Sequence, residues 1–233
     1  MSLALADVVP WGRSFTEYRA MFALSETDLA GRILGCGDGP AGFNAQLTRQ
    51  GGRVVSVDPL YSFSGREIQD RIRETFTVVL DQVRKNEQDF VWSAIPDLDS
   101  LGRTRVEAMD LFLADYRQGK EEGRYRAGQL PELDFPDQSF ALALCSHFLF
   151  LYSAQRSKEL HIKAVLELCR VAGEVRIFPL LELSGRLSRH CEDVFQALDR
   201  AGYTWRVERV AYEFQRGGNE MLRIFSSDRI GFS

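Results

Sequence analysis

The chain has 233 residues, 45% hydrophobic and 27% charged, with a formal net charge of −4. That is enough apolar material for one large domain with a buried core, and no Lys/Arg run forms a stripe that would track a nucleic-acid backbone. No apolar stretch reaches the ~18 residues a membrane span needs, and the opening MSLALADVVPWGR lacks the basic start and long apolar run of a secretory signal, so a cytoplasmic protein is expected.

In chain order, Ser14 to Leu24 reads as a leading helix, and Arg32-Ile33-Leu34 as a short strand running into glycines. Ala41 to Gln50 is a second helix, stopped by Gly51-Gly52. Val54-Val55-Ser56-Val57 is β-branched, hence a buried strand, and it ends at Asp58-Pro59. From 61 to 123 the pattern turns helical. Ile72, Phe76, Val79, Leu80 and Val83 share one face, and Val106, Met109, Leu113 and Tyr116 share another. Crossovers between adjacent strands are much shorter, so 61–123 is read as an insertion within a single domain spanning 1–233. Inserted where a strand ends, it could form a lid over a cleft, or a dimer surface.

Regular alternation resumes at Tyr125. Phe140 to Cys145 reads as a central strand, Ile162 to Cys169 as a helix, and Glu174 to Phe178 as a strand stopped by Pro179. Leu187 to Leu198 reads as a helix ended by Gly202. Trp205 to Phe214 and Met221 to Phe225 read as two strands joined at Gly217-Gly218-Asn219, which makes the last strand antiparallel. The expected fold class is α/β: a doubly wound, mostly parallel seven-stranded sheet with an antiparallel last strand and a helical insertion between strands 2 and 3.

The stretch with chemical content is Ile33-Leu34-Gly35-Cys36-Gly37-Asp38-Gly39-Pro40. A strand feeds a glycine-rich turn and then a helix, so the backbone can approach a ligand closely and the helix start offers free N–H groups. Asp58, at the tip of the next strand, is placed to accept hydrogen bonds from a ribose diol. A carboxylate capping its own turn is the plainer alternative. Gly37, Gly39 and Gly42 also satisfy G-x-G-x-x-G, so a dinucleotide is a second candidate ligand. Against it, Gly35 already breaks the strand, and Pro40 has no N–H for a phosphate.

Leu34 to Gly39 resembles the first motif of the class I (Rossmann-like) S-adenosylmethionine (SAM)-dependent methyltransferases. Leu133-Asp134-Phe135-Pro136-Asp137-Gln138-Ser139-Phe140 resembles that family's approach to its fourth strand. The resemblance runs from about residue 14 to 226, apart from the insertion. It implies SAM as cofactor and S-adenosylhomocysteine (SAH) as product. It places Gly35, Cys36, Gly37, Asp38 and Gly39 along the methionine and ribose, Asp58 on the ribose hydroxyls, and Pro59 and Leu60 against the adenine. Gln129 and Leu130 would meet the adenine edge, and Ser146, His147 and Phe148 would lie near the transferable methyl. Three positions depart from the family pattern: Ile33, Gln129 and Ala141 stand where acids are usual. Ser146-His147-Phe148-Leu149 also replaces the tetrapeptide of base amino-methylases, which argues against nucleic acid as substrate.

His147 is the candidate catalytic base, since imidazole titrates near neutrality; its apolar neighbours equally suit a histidine lining a pocket wall. His161 and His190 read as surface residues. Tyr18 and Arg19 could close over the methionine end. Arg176, inside an apolar strand, needs a carboxylate partner or an acidic ligand. Cys36, Cys145, Cys169 and Cys191 form no C-x-x-C pair, and the histidines have no zinc spacing, so free thiols and no metal are expected. The expected function is methyl transfer to a small molecule by a monomer or homodimer, without nucleic acid or membrane. Alternatives are a SAM- or nucleoside-binding protein without transfer activity, or a NAD-dependent oxidoreductase.

Overall fold

A computed structural model describes residues 9–226. Seven strands form one sheet: β1 (Arg32–Cys36), β2 (Arg53–Val57), β3 (Tyr125–Arg126), β4 (Leu142–Ser146), β5 (Glu174–Phe178), β6 (Thr204–Arg209) and β7 (Glu220–Phe225), in the order β3-β2-β1-β4-β5-β7-β6. β1 to β5 run parallel, while β7 runs antiparallel to both β5 and β6. This is the fold class expected from the sequence.

The central strands β1, β4 and β5 are buried on both faces because helices cover both. Ile33, Val54, Leu142 and Leu144 face α1 (Phe15–Met21) and α3 (Phe43–Arg49). Leu34, Cys36, Ala143, Cys145, Val175 and Ile177 face α6 (Lys158–Val171) and α7 (Cys191–Arg200). In register, Cys36 lies beside Val57 and Cys145, so the residues that follow β1, β2 and β4 all emerge at one edge.

Residues 61–123 hold α4 (Gly65–Lys85), α5 (Leu98–Glu121) and the chain between them. Ser64 and Glu67 form a capping box that starts α4. α5 packs on α3, α4 and β3. None of the helices among the described residues is long and apolar enough to cross a membrane.

Several local expectations need correction. The leading helix stops at Met21, and a short α2 (Glu26–Ala30) follows it. β6 ends at Arg209, not Phe214: Tyr212 and Phe214 alternate like strand residues but turn inward from a loop over 210–219. α7 starts at Cys191, and Leu187 is exposed outside it. His161 is fully buried, its ring nitrogens paired with the carbonyls of Ser157 and Leu149. Arg176 is buried and paired structurally, with Asp28 at 3.0 Å and Glu174 at 2.6 Å.

Candidate active site

At the shared edge, β1 runs into a tightly held turn. Gly37 N donates to Val57 O at 3.0 Å, and both Gly37 (φ +70°) and Gly39 (φ +53°) are left-handed. A Cβ on Gly37 would stand 2.8 Å from the Phe148 side chain. The Asp58 carboxylate accepts from Gly39 N at 2.9 Å and Leu60 N at 2.8 Å, tying the ends of β1 and β2 together. Burial raises its pKa. On the far side of the turn, buried Tyr61 donates to Gly39 O at 2.7 Å. Tyr61 is itself held, its own carbonyl accepting from Tyr116 at 3.0 Å and Lys120 at 2.9 Å.

Asp38 folds back over Gly35, where a Cβ would lie 1.9 Å from its carboxylate. It accepts from Tyr18 at 2.9 Å and Ser56 at 2.7 Å, with no cation paired to it among the described residues. Burial lifts its pKa to about 6 against those two hydrogen bonds, and Asp58 adds to the lift. A carboxylate therefore occupies the region of the first motif even though Ile33 is not an acid.

Two spaces flank this turn. A narrow slot lies between Cys36, Gly37, Val57, Pro59, Gln129, Leu130 and Phe148. A larger cavity of about 190 Å³ is lined by Asp38, Gly39, Asp58, Leu60, Ser146 and His147 and extends to Phe178, Tyr212 and Phe214. Val79 and Val83 of α4 and Phe90 beyond it cover the cavity from the insertion.

His147 has a left-handed backbone (φ +51°); its N–H donates to Phe178 O at 2.7 Å and its Nδ1 lies 3.0 Å from Ser146 Oγ. Burial, and then the charges of Arg13 and Arg105, push its pKa well below the usual range, so the ring is neutral at neutral pH. Behind the cavity, buried Arg105 donates two 2.6 Å hydrogen bonds to Glu17, and Tyr212 donates a third at 2.9 Å. Burial works against the Glu17 charge, but Arg105 prevails and holds its pKa at about 2.

An uncharacterised protein of Methanocaldococcus jannaschii is 32% identical over 225 residues, covering 95% of this chain and 98% of that protein. The magnesium protoporphyrin IX methyltransferase of Synechocystis PCC 6803, solved with bound SAH, superimposes with a TM-score of 0.50 at 11% identity, over 91% of this chain and 82% of that one. The chain belongs to one family with the archaeal protein, and its fold is that of the class I SAM-dependent methyltransferases. No protein-family model matches the chain.

Within this methyltransferase fold, the residues singled out in the sequence converge on one edge. Gly35, Cys36, Gly37, Asp38, Gly39, Asp58, Pro59, Leu60, Ser146, His147 and Phe148 gather around the turn, joined by Gln129 and Leu130 from the chain after β3. Tyr18 is there too, but Arg19 pairs outward with Glu26 at 2.7 Å. Sequence reasoning missed Arg13, Tyr61, Tyr212 and the Glu17–Arg105 pair. Only the capping box Ser14-Phe15-Thr16-Glu17 signalled one of them, and it pointed to a helix start.

Proposed function

We propose that this protein binds SAM at the β1–β2 edge and transfers its methyl group to a small-molecule acceptor in the adjoining cavity. The observation that carries the reading is the pair of carboxylates, Asp38 and Asp58, at a glycine turn facing a cavity. Asp58 suits a ribose diol, while Asp38 at the turn itself repels a pyrophosphate but suits cationic ammonium and sulfonium groups. This disfavours NAD.

The residues fit that cofactor. Each oxygen of Asp58 accepts one backbone N–H and has a lone pair left for a ribose hydroxyl. The slot between Pro59, Leu130 and Phe148 would have to widen to admit the adenine ring, and Gln129 lines it with an amide for the adenine edge. Asp38 supplies the acid that Ile33 lacks, for the methionine ammonium. When bound, SAM supplies an activated methyl on a sulfonium, and the protein's main task is to hold the acceptor in line with it. The apolar walls exclude water, which suits a reaction that discharges a cation. His147, neutral and next to Ser146, is the group that would accept a proton from an acidic acceptor. α4 and the segment after it would act as a lid.

Isothermal titration with SAH, SAM and NAD tests this on the wild type and Asp58→Asn. The adenosyl ligands should bind and NAD should not, and the substitution should weaken SAH about 10- to 100-fold through the lost charge-assisted hydrogen bonds. Preferential binding of NAD would overturn the reading. Binding without turnover across a broad acceptor panel would favour a SAM-binding protein without transfer activity.

A further inference from the structure

The cofactor proposed for this site ends in an ammonium and a carboxylate on one carbon, so the groups that hold the two must be neighbours. Asp38 suits the ammonium, and neither Asp38 nor Asp58 can take the carboxylate, because like charges repel. Among the described residues that line the cavity, only Arg13 and Arg71 carry a permanent positive charge. Arg71 is exposed on α4, and its guanidinium lies 3.9 Å from the centroid of the Phe63 ring, beyond the end of β2 and so on the Asp58 side. Arg105 lies behind the cavity and is already held by Glu17.

Arg13 stands beside the glycine turn. Gly42 N, at the start of α3, donates to Arg13 O at 3.0 Å, and a Cβ on neighbouring Gly12 would stand 2.0 Å from Pro40 O. The chain around Arg13 is thus clamped against the residues that follow the turn. It leads directly into α1, whose Tyr18 donates to Asp38 at 2.9 Å. Arg13, Tyr18 and Asp38 all line the cavity, and none of them lines the slot bounded by Pro59 and Leu130. The guanidinium is also unspent. Its Nη1 reaches only the Trp11 carbonyl, at 3.4 Å, and its Nε is buried without a partner. Glu17 already accepts from Arg105, Tyr212 and Ser14, and no ion pair to Arg13 forms among the described residues. A buried donor left unpaired is costly unless a ligand meets it. We propose that Arg13 binds the carboxylate of the cofactor, so that Asp38 and Arg13 together read its amino acid as a zwitterion and the site rejects an adenosyl thioether that lacks the carboxylate. This rests on the methyl-transfer reading. The planar fork of a guanidinium matches the two oxygens of a carboxylate.

The test is isothermal titration with three ligands: SAH, decarboxylated SAH, which keeps the ammonium, and 5′-methylthioadenosine, which lacks the whole amino-acid end. The wild type should prefer SAH over decarboxylated SAH by about 10- to 100-fold. Arg13→Gln should abolish that preference by weakening SAH alone, leaving the other two ligands within about threefold of their wild-type affinities. Arg13→Lys should keep part of the preference, because the charge remains and the fork is lost. Equal affinity of the wild type for SAH and decarboxylated SAH overturns the proposal without needing a variant. So does an Arg13→Gln protein that keeps the wild-type preference, since another group would then hold the carboxylate. Equal weakening of all three ligands by Arg13→Gln overturns it as well, because Arg13 would then only hold the chain in front of α1. Failure of the wild type to bind any of the three would instead remove the methyl-transfer reading on which the proposal rests.

Discussion

Asp38 shows how one buried side chain can trade stability for a site. Its carboxylate sits over Gly35 with two hydroxyl donors and no counter-charge, and its pKa rises to about 6 from an ordinary 3.8. The folded state thus holds this proton more tightly than the unfolded chain does. The stabilisation is complete below about pH 4 and is lost as pH rises through about 6, on the order of 3 kcal/mol by proton linkage. Asn is nearly isosteric and cannot ionise. Asp38→Asn should therefore flatten the fall in stability between pH 4 and 7 and raise the melting temperature at pH 8, while weakening SAH. Thermal melts of both proteins across that range, read as a difference, isolate this group from Asp58 and His147. Parallel profiles would mean that Asp38 is not the strained acid described here.

Among the elements, the Glu17–Arg105 pair joins α1 to α5, and Tyr212 adds the β6–β7 loop to the same carboxylate. Arg105→Met leaves Glu17 buried without its cation and should cost about 3–5 kcal/mol. Adding Glu17→Gln, which can still close the capping box, should regain at least half of that loss in urea unfolding. Additive losses would show that the two residues act separately. These long-range ties mark the boundary of what could be read in advance. β1, β2, β4 and β5 were legible because short apolar runs bounded by turn residues are local signals, and the glycine turn with Asp58 at the next strand tip is local too. Glu17 and Arg105 stand 88 residues apart, and Glu17 and Tyr212 stand 195 apart, so no periodicity links them. Tyr212 and Phe214 misled for a related reason: inward-facing loop residues around a cavity alternate just as strand residues do. His161 was misjudged because carbonyls from its own helix start and from the turn after β4 satisfy it, which helix spacing does not reveal.

At the scale of the whole molecule, the proposed function gives the cavity a fixed floor and a separate cover. The floor is the edge of the sheet, whose central strands are buried on both faces. The cover joins two segments more than a hundred residues apart: Phe90 stacks on Phe214 at 4.8 Å, Val91 N donates to Phe214 O at 2.7 Å, and Arg216 N donates to Asp89 O at 2.8 Å. These contacts tie the two segments to each other, and a cover that moves as a unit should open at lower cost than global unfolding. Phe214→Ala removes the ring that both share, a loss of the kind that costs about 3–5 kcal/mol in well-packed sites. Amide exchange at 86–92 and 212–218 should then speed up together by at least about tenfold, the change that ~1.4 kcal/mol produces, while the amides of β1 and β4 keep their rates. Faster exchange in 212–218 alone would mean that the insertion is an independent layer. Faster exchange throughout the sheet would make Phe214 part of the main core and leave the cavity without a separable lid.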